Sequence, residues 1–401
     1  MAMRLSDYPI KAPGSIPSPA LLYFRRHIEE NIDKMIQIAG GADDAPRRLR
    51  PHIKTFKTMG VVDLLRSRGV SMFKCATVAE AEMLAAGGVT DVLLAYPIVG
   101  PNAARVVDLI TRYPQLHLKV LGDDVETLAT LSRALAGAQA GGHGTRERTV
   151  EVLIDLDPGL HRTGVAFDDA PAIVRFVAEA VGLSFGGLHY YDGQNHQSDF
   201  AERMAAAKVG YDAVAALADR LATEGFEVPR MVMGGTPTFP CYTRFPDAEL
   251  SPGTSTIHDW GYQKAMPDLP FLPAGLVLGR VVSRPSATRF TVDVGTKAIA
   301  TDPKGQRGII LGYEEAVPVL QNEEHWVWEL PSGPGGANQA GAGNGPGEKA
   351  SGAPAIGTAL LVAPAHICPT TALYDEVVVV GPDGSIEGTW PVTARSRRLS
   401  V

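Results

Sequence analysis

The chain has 401 residues, of which 45% are hydrophobic and 20% charged, with a formal net charge of −7; this is the balance of a globular protein of one large domain plus a smaller one, or of two to three domains. No basic block exceeds short stretches such as the "RSRR" of residues 395–398, which argues against an electrostatic nucleic-acid footprint and for small-molecule chemistry. No apolar run follows a positive one at the N-terminus, the uncharged tract Ser351–Tyr374 is broken by three prolines, and Cys75, Cys241 and Cys368 stand at unrelated spacing, so no secretory signal, membrane span or disulfide framework is expected and a reducing cytoplasm fits.

From residue 48 onward, short β-branched runs alternate with longer amphipathic ones, the pattern of βα units and a parallel sheet. Eight strands are predicted in chain order: "RLRPHIKT", "SMFKCAT", "DVLLAYPI", "LHLKVLG", "TVEVLIDLD", "FGGLHYYDG", "RMVMGGTP" and "ELSPGTSTI". Between them lie helical segments such as "VAEAEMLAAGG" and the run from Ala201 to Gly225, with apolar residues at three- and four-residue spacing and a glycine stop. Eight units suit a closed (β/α)8 TIM barrel, assigned residues 20–262, whose usual span is ~250 residues; an open doubly wound sheet is the alternative.

After Tyr262 the texture changes to period-two strands joined by Gly, Pro and Asp turns, which predicts a smaller all-β domain over residues 263–401, with residues 1–19 attached to it. Within it, residues 332–355 are rich in Gly, Pro and Ala, too poor in apolar side chains to order themselves, and read as a flexible surface loop.

In such a barrel the chemistry sits at the C-terminal ends of the strands. Lys54 ends the first, and a partly desolvated amine there can act as a nucleophile toward a carbonyl, forming a Schiff base. Strand seven ends in "MGGTPT", where Gly234 and Gly235 expose backbone amides and Thr236 and Thr238 add hydroxyls; Gly253 and Thr254 do the same after strand eight. Two neighbouring Gly-Thr turns make a phosphate cup. With the strand-end lysine they suggest a phosphorylated aldehyde cofactor, pyridoxal phosphate.

Strand six ends in "GLHYYDGQNH": Tyr190 or Tyr191 could flank a pyridine ring, and His189 or His196 could move a proton near neutral pH. Arg162, after strand five, could contact the cofactor's phenolic oxygen or simply lie on the surface. In the β domain, "APAHICPT" places His366 and Cys368 on one face of an extended segment, half of a divalent metal site in which the thiolate favours zinc over magnesium.

The ordered motifs "RPHIKTFK", "GGTPT", "ELSPGTSTIHDWGY", "VDVGTKAIATDP" and "HICPT" resemble the D-threonine aldolase and D-serine dehydratase family, the metal-dependent branch of the alanine-racemase-like pyridoxal phosphate enzymes, over residues 20 to 385 or so. The resemblance implies an alanine-racemase-type barrel followed by a β domain, usually as a homodimer, acting on a small-molecule D-β-hydroxy-amino acid. It also implies Lys54 at the Schiff-base position, Gly235, Thr236, Gly253 and Thr254 at the phosphate, and His366 with Cys368 on a divalent metal, zinc or manganese. Phe56 stands where the family's "HKTHK" pattern has a second histidine. Cys368 leans toward the dehydratases, whereas "HYYDGQNH" looks closer to the aldolases.

If His196 or His189 takes the proton of the substrate hydroxyl, the Cα–Cβ bond breaks and glycine and an aldehyde form. If Lys54 takes the Cα proton, the hydroxyl leaves and a 2-oxo acid and ammonia follow. The expected activity is the first, with the second as the alternative.

Overall fold

The computed structural model describes residues 3–140, 149–331 and 352–401; most of the expected loop at 332–355 lies outside them. The chain divides into two compact units, Lys34–Gly253 with Ser396–Val401, and Met1–Asp33 with Thr254–Arg395. This division differs from the expected boundaries at both ends of the barrel. Strand β1 (Ala20–Phe24), expected on the barrel side, pairs within the second unit.

The barrel unit holds seven parallel strands, neighbours in chain order: β2 (Met72–Cys75), β3 (Asp91–Pro97), β4 (His117–Gly122), β5 (Val150–Leu156), β6 (Leu183–Tyr190), β7 (Met231–Met233) and β8 (Ala248–Leu250). The residues expected as a first strand close the ring. Leu49 bridges in parallel to Leu250, and His52 to Lys74. Arg50 N–H donates to Leu250 O at 2.9 Å, His52 N–H to Pro252 O at 2.8 Å, and Lys74 N–H to Pro51 O at 2.9 Å. Pro51 has no N–H to give a ladder, so this stave shrinks to two bridges. A 3₁₀ turn over Ile53–Thr55 follows at once, and Lys54 sits in that turn rather than at the end of a regular strand.

Inward-pointing residues fill the barrel in layers. Near the N-terminal ends of the strands, Arg50, Asp91, Lys119, Glu151, Arg230 and Glu249 form a closed ring of alternating charge. Arg50 holds Asp91 and, at 2.7 Å, Glu249; Lys119 holds Asp91 at 2.9 Å and Glu151 at 3.7 Å; Arg230 holds Glu151 and, at 3.5 Å, Glu249. Every member has a partner on each side, so no charge is left uncompensated. Above the ring, Leu93, Leu121, Leu153 and Val232 make an apolar plug. The next layer toward the C-terminal ends is polar again and carries the candidate site.

The second unit is a mixed sheet of β1 with β9 (Gly275–Ser283), β10 (Arg289–Val292), β11 (Gly308–Ile310), β12 (Val317–Gln321), β13 (Trp326–Glu329), β14 (Ala359–Pro364), β15 (Glu376–Val380) and β16 (Ile386–Pro391), in the order β12-β13-β10-β9-β1-β15-β16, with β14 bridging β9 and β11. β1 runs antiparallel to β9 and parallel to β15. Its "ALLYF" is a continuous apolar run with four of five residues buried, as a central strand requires. Leu22, Phe24, Leu276, Leu278, Leu361 and Val380 form the core there. Among the described residues, no helix is long and apolar enough to cross a membrane.

Candidate active site

The turn that presents Lys54 is pinned from behind. His52 Nδ1 accepts the backbone N–H of Lys54 at 3.3 Å, and Thr55 Oγ1 donates to Gly253 O at 3.1 Å. Burial, followed by the charges of Lys54, Lys74 and Lys57, holds the His52 imidazole well below its ordinary range, so it stays neutral and can accept. The Lys54 side chain is half-buried, its Nζ 5.7 Å from the centre of the Tyr191 ring; the Arg162 guanidinium lies 4.8 Å from the same centre. Both are cations on an aromatic face.

Beneath this, β2, β5 and β6 contribute a group that sequence reasoning missed in part. Lys74 is 3% exposed, and its Nζ lies 3.5 Å from His189 Nε2. His189 Nδ1 is 2.7 Å from Asp155 Oδ1, and Thr163 Oγ1 donates to Asp155 Oδ2 at 2.9 Å. Burial pushes the Asp155 carboxyl up, but hydrogen bonds from His189 and Thr163 and the charge of Arg162 outweigh it and hold it below the usual carboxylate range. An ionised Asp155 accepts, so Nδ1 carries the His189 proton and Nε2 accepts from Lys74. Burial, with Lys74 and Arg162 nearby, lowers the His189 imidazole against the pull of Asp155. Burial, then Lys54, Arg50 and Arg162, push the Lys74 amine down to about 7, with Asp155 opposing.

His189 thus has both ring nitrogens engaged and is held in place rather than free to act alone. His196 lies exposed on the following loop. Tyr190 points away: it is buried, edge-on to Phe167 at 6.2 Å, and its hydroxyl packs where a side chain at Gly210 would stand. The cause is the strand's period of two, which sends His189 inward and Tyr190 outward. Tyr191, beyond the end of β6, turns back to meet Lys54 and Arg162.

The Gly-rich turn after β7 is built on Asp192. Its carboxylate accepts from Thr238 Oγ1 at 2.7 Å, Tyr242 OH at 2.8 Å and Asn195 Nδ2 at 3.1 Å. Gly234 has φ +75°, which favours glycine, and a Cβ on Gly235 would stand 2.9 Å from the Tyr191 ring. Gly235 N–H donates to Thr238 Oγ1 at 3.2 Å and Gly253 N–H to Thr236 Oγ1 at 3.1 Å. Gly235, Thr236 and Gly253 are therefore brought together, with amide donors on rotatable hydroxyls that an anion can replace. Thr254 falls in the second unit, its Oγ1 3.6 Å from Cys368 Sγ.

In the second unit, His366 precedes a short helix, Ile367–Thr371, with Cys368 in its first turn. This corrects the extended segment expected from sequence, yet the two side chains are still hydrogen-bonded partners. Asp302 Oδ2 lies 2.5 Å from His366 Nδ1. Burial pushes the imidazole down, but Cys368, Asp302 and Asp259 outweigh it and bring it up to about 9. Asp259, pushed up to about 6 by burial, accepts from Tyr262 N–H at 2.9 Å and Ile367 N–H at 3.1 Å and so fixes the turn that carries the pair. Among the described residues, no group of three or more His, Cys, Asp or Glu is arranged to hold a metal ion.

A parallel barrel with a lysine turn, a Gly-Thr cup and a separate mixed β-sheet unit defines the alanine-racemase-like class. The chain belongs to the family of the alanine racemase N-terminal domain, whose model matches residues 25–257, and a second model, a putative serine dehydratase domain, matches residues 274–380. More particularly, it is 28% identical to a D-threonine aldolase of Arthrobacter sp., over 95% of this chain and 93% of that one. It is also 28% identical to a 3-hydroxy-D-aspartate aldolase of Paracoccus denitrificans, over 96% and 93%, and to a D-threo-3-hydroxyaspartate dehydratase of Delftia sp., over 94% and 97%. The crystal structure of D-threonine aldolase from Filomicrobium marinum superposes with a TM-score of 0.81 at 27% identity, covering 97% of this chain and 98% of that one. That of the Delftia dehydratase gives 0.77 at 25% identity, covering 96% and 99%.

Proposed function

We propose that this chain is a pyridoxal phosphate- and divalent metal-dependent lyase that cleaves D-β-hydroxy-α-amino acids to glycine and an aldehyde. The residues fit the cofactor: Lys54 is the amine that would hold its aldehyde carbon, Gly235, Thr236 and Gly253 the cup for its phosphate, with Thr254 next in the chain, and Gly235 leaves beside Tyr191 the space a Cβ would fill. Arg162, against the Tyr191 face, would meet its phenolic oxygen. When bound, the cofactor supplies an electron sink for charge left on the substrate's α-carbon.

The residues fit a metal as a pair of donors. Asp302 holds the Nδ1 side of His366, leaving Nε2 for the ion, with the Cys368 thiolate as the second ligand; two protein donors keep positions open for substrate oxygen or water. Zinc or manganese would suit.

The observation that carries retro-aldol cleavage is the Lys74–His189–Asp155 group. Breaking Cα–Cβ needs a base for the β-hydroxyl apart from Lys54, and this buried group would supply one. Cys368 favours a second reading, a dehydratase giving a 2-oxo acid and ammonia. Purified protein with pyridoxal phosphate and manganese or zinc, given D-threonine, separates the two. Glycine with acetaldehyde supports the aldolase; 2-oxobutyrate with ammonia replaces it by the dehydratase.

A further inference from the structure

Two buried lysines in the barrel look alike in sequence and differ in surroundings. Lys119 sits between Asp91 and Glu151, its charge answered on both sides. Lys74 is as deeply buried but faces Lys54 and His52 on the closing stave with Arg50 below them, Arg162 beyond β5, and His189; the one carboxylate in the group, Asp155, opposes them by its charge but is hydrogen-bonded to His189 and Thr163. Burying an ammonium among cations is costly. A lysine kept there gives up its proton readily, and the Asp155–His189 pair orients the neutral amine as a carboxylate and histidine orient the terminal group of a relay.

We propose that Lys74 is a catalytic residue, a second amine at the Lys54 site that takes the proton of the substrate's β-hydroxyl and returns it to the α-carbon. This rests on the retro-aldol reading above. The proton leaves the β-oxygen for the Nζ lone pair as the Cα–Cβ bond breaks; the oxygen keeps its electrons to form the aldehyde, and the bonding pair stays on Cα. The Lys74 ammonium then gives the same proton to Cα, glycine is complete, and Nζ is neutral again. No oxidant, reductant or net proton is needed. Lys54 remains the amine that holds the cofactor, and His189 is a positioning residue that takes one Nζ–H at Nε2.

The experiment uses full-length protein loaded with pyridoxal phosphate and metal, as wild type, Lys74→Met and Lys74→Ala. The variants are expected to keep the visible band of the Lys54-bound cofactor while D-threonine cleavage falls at least about 100-fold. The acid limb of the wild-type rate, rising through pH about 7 as the amine becomes neutral, should vanish in both. Ethylamine added to Lys74→Ala should restore activity at least about tenfold, and should not restore Lys74→Met, whose side chain fills the space. Loss of activity with the acid limb intact and no amine rescue would mean a structural role and overturn the proposal, as would variants with wild-type rates. Should neither variant fold, acetic anhydride labelling of wild-type Lys74 against pH, read by mass spectrometry, decides: a midpoint about 7 supports it, and one near that of ordinary lysines, ~10.4, overturns it. Wild-type protein with no visible band after cofactor is supplied fails the functional reading itself, and the proposal with it. An active wild type with unimpaired Lys74 variants fails the proposal alone.

Discussion

The two polar layers of the barrel gather comparable numbers of ionisable groups and use them in opposite ways. In the lower ring, three cations and three anions alternate and each touches both neighbours. In the upper layer, Lys54, Lys74, Arg162 and two histidines gather around one carboxylate, Asp155. A balanced ring needs no shifted proton, because every charge is answered in place. In an unbalanced one, burial and neighbouring cations lower Lys74, His52 and His189 toward their neutral forms, the signature of a site that handles protons. Buried charge alone is thus a poor guide to function, and its local balance a good one.

The difference can be pressed hardest at Lys54. Replacing it with alanine should abolish both the visible cofactor band and turnover, because no other amine is presented by the turn beside Tyr191 and the cup; absorbance and product analysis check this. In the lower ring the effect should be on stability. Arg50→Met leaves the partly exposed Asp91 and Glu249 with one cation each, Lys119 and Arg230, and should destabilise the fold by about 1–3 kcal/mol, seen as a lower urea midpoint.

Lys74 tests the unbalanced layer by pH. Its folded-state pKa lies below that of the unfolded chain, so between pH about 7 and ~10.5 the unfolded state binds a proton that the folded state does not. Stability therefore climbs with pH through that window, and below it the full cost of the buried charge is felt. Lys74→Met should flatten the climb by on the order of 5 kcal/mol relative to wild type, measured by denaturant titrations across the range. The smallest effect is expected in the second unit. Asp302→Asn loosens the His366 tautomer and should weaken zinc or manganese binding about 10–100-fold by calorimetry.

Much of the architecture was legible from strand alternation, since parallel strands covered on both faces read as apolar runs separated by amphipathic helices. Two features were not. "RLRPHIKT" has the composition of a strand, but Pro51 removes a ladder donor and the stave survives as two bridges, which moved Lys54 into a turn. "ALLYF" shows that β1 is buried without saying in which sheet, because its partners β9 and β15 are more than 250 residues away.

At the candidate site, Lys54 and the Gly-Thr turns could be picked out as candidates only in combination, because a lysine or a glycine turn beside a strand has ordinary structural reasons to be there, and Arg162 read equally well as a surface residue. Lys74 in "SMFKCAT" and Lys119 in "LHLKVLG" present the same pattern, a lysine within an apolar strand. Only the cross-strand neighbours reveal that one is neutralised by two carboxylates and the other is not. Tyr190 and Tyr191 could not be separated until the end of β6 fixed which faces inward.

The most direct test is to reduce the cofactor-loaded protein with borohydride and map the pyridoxyl-modified peptide. Modification confined to Lys54 is the predicted result, with Lys74 recovered unmodified. A pyridoxyl group on Lys74, or on no lysine of the barrel, would contradict the assignment of the two amines.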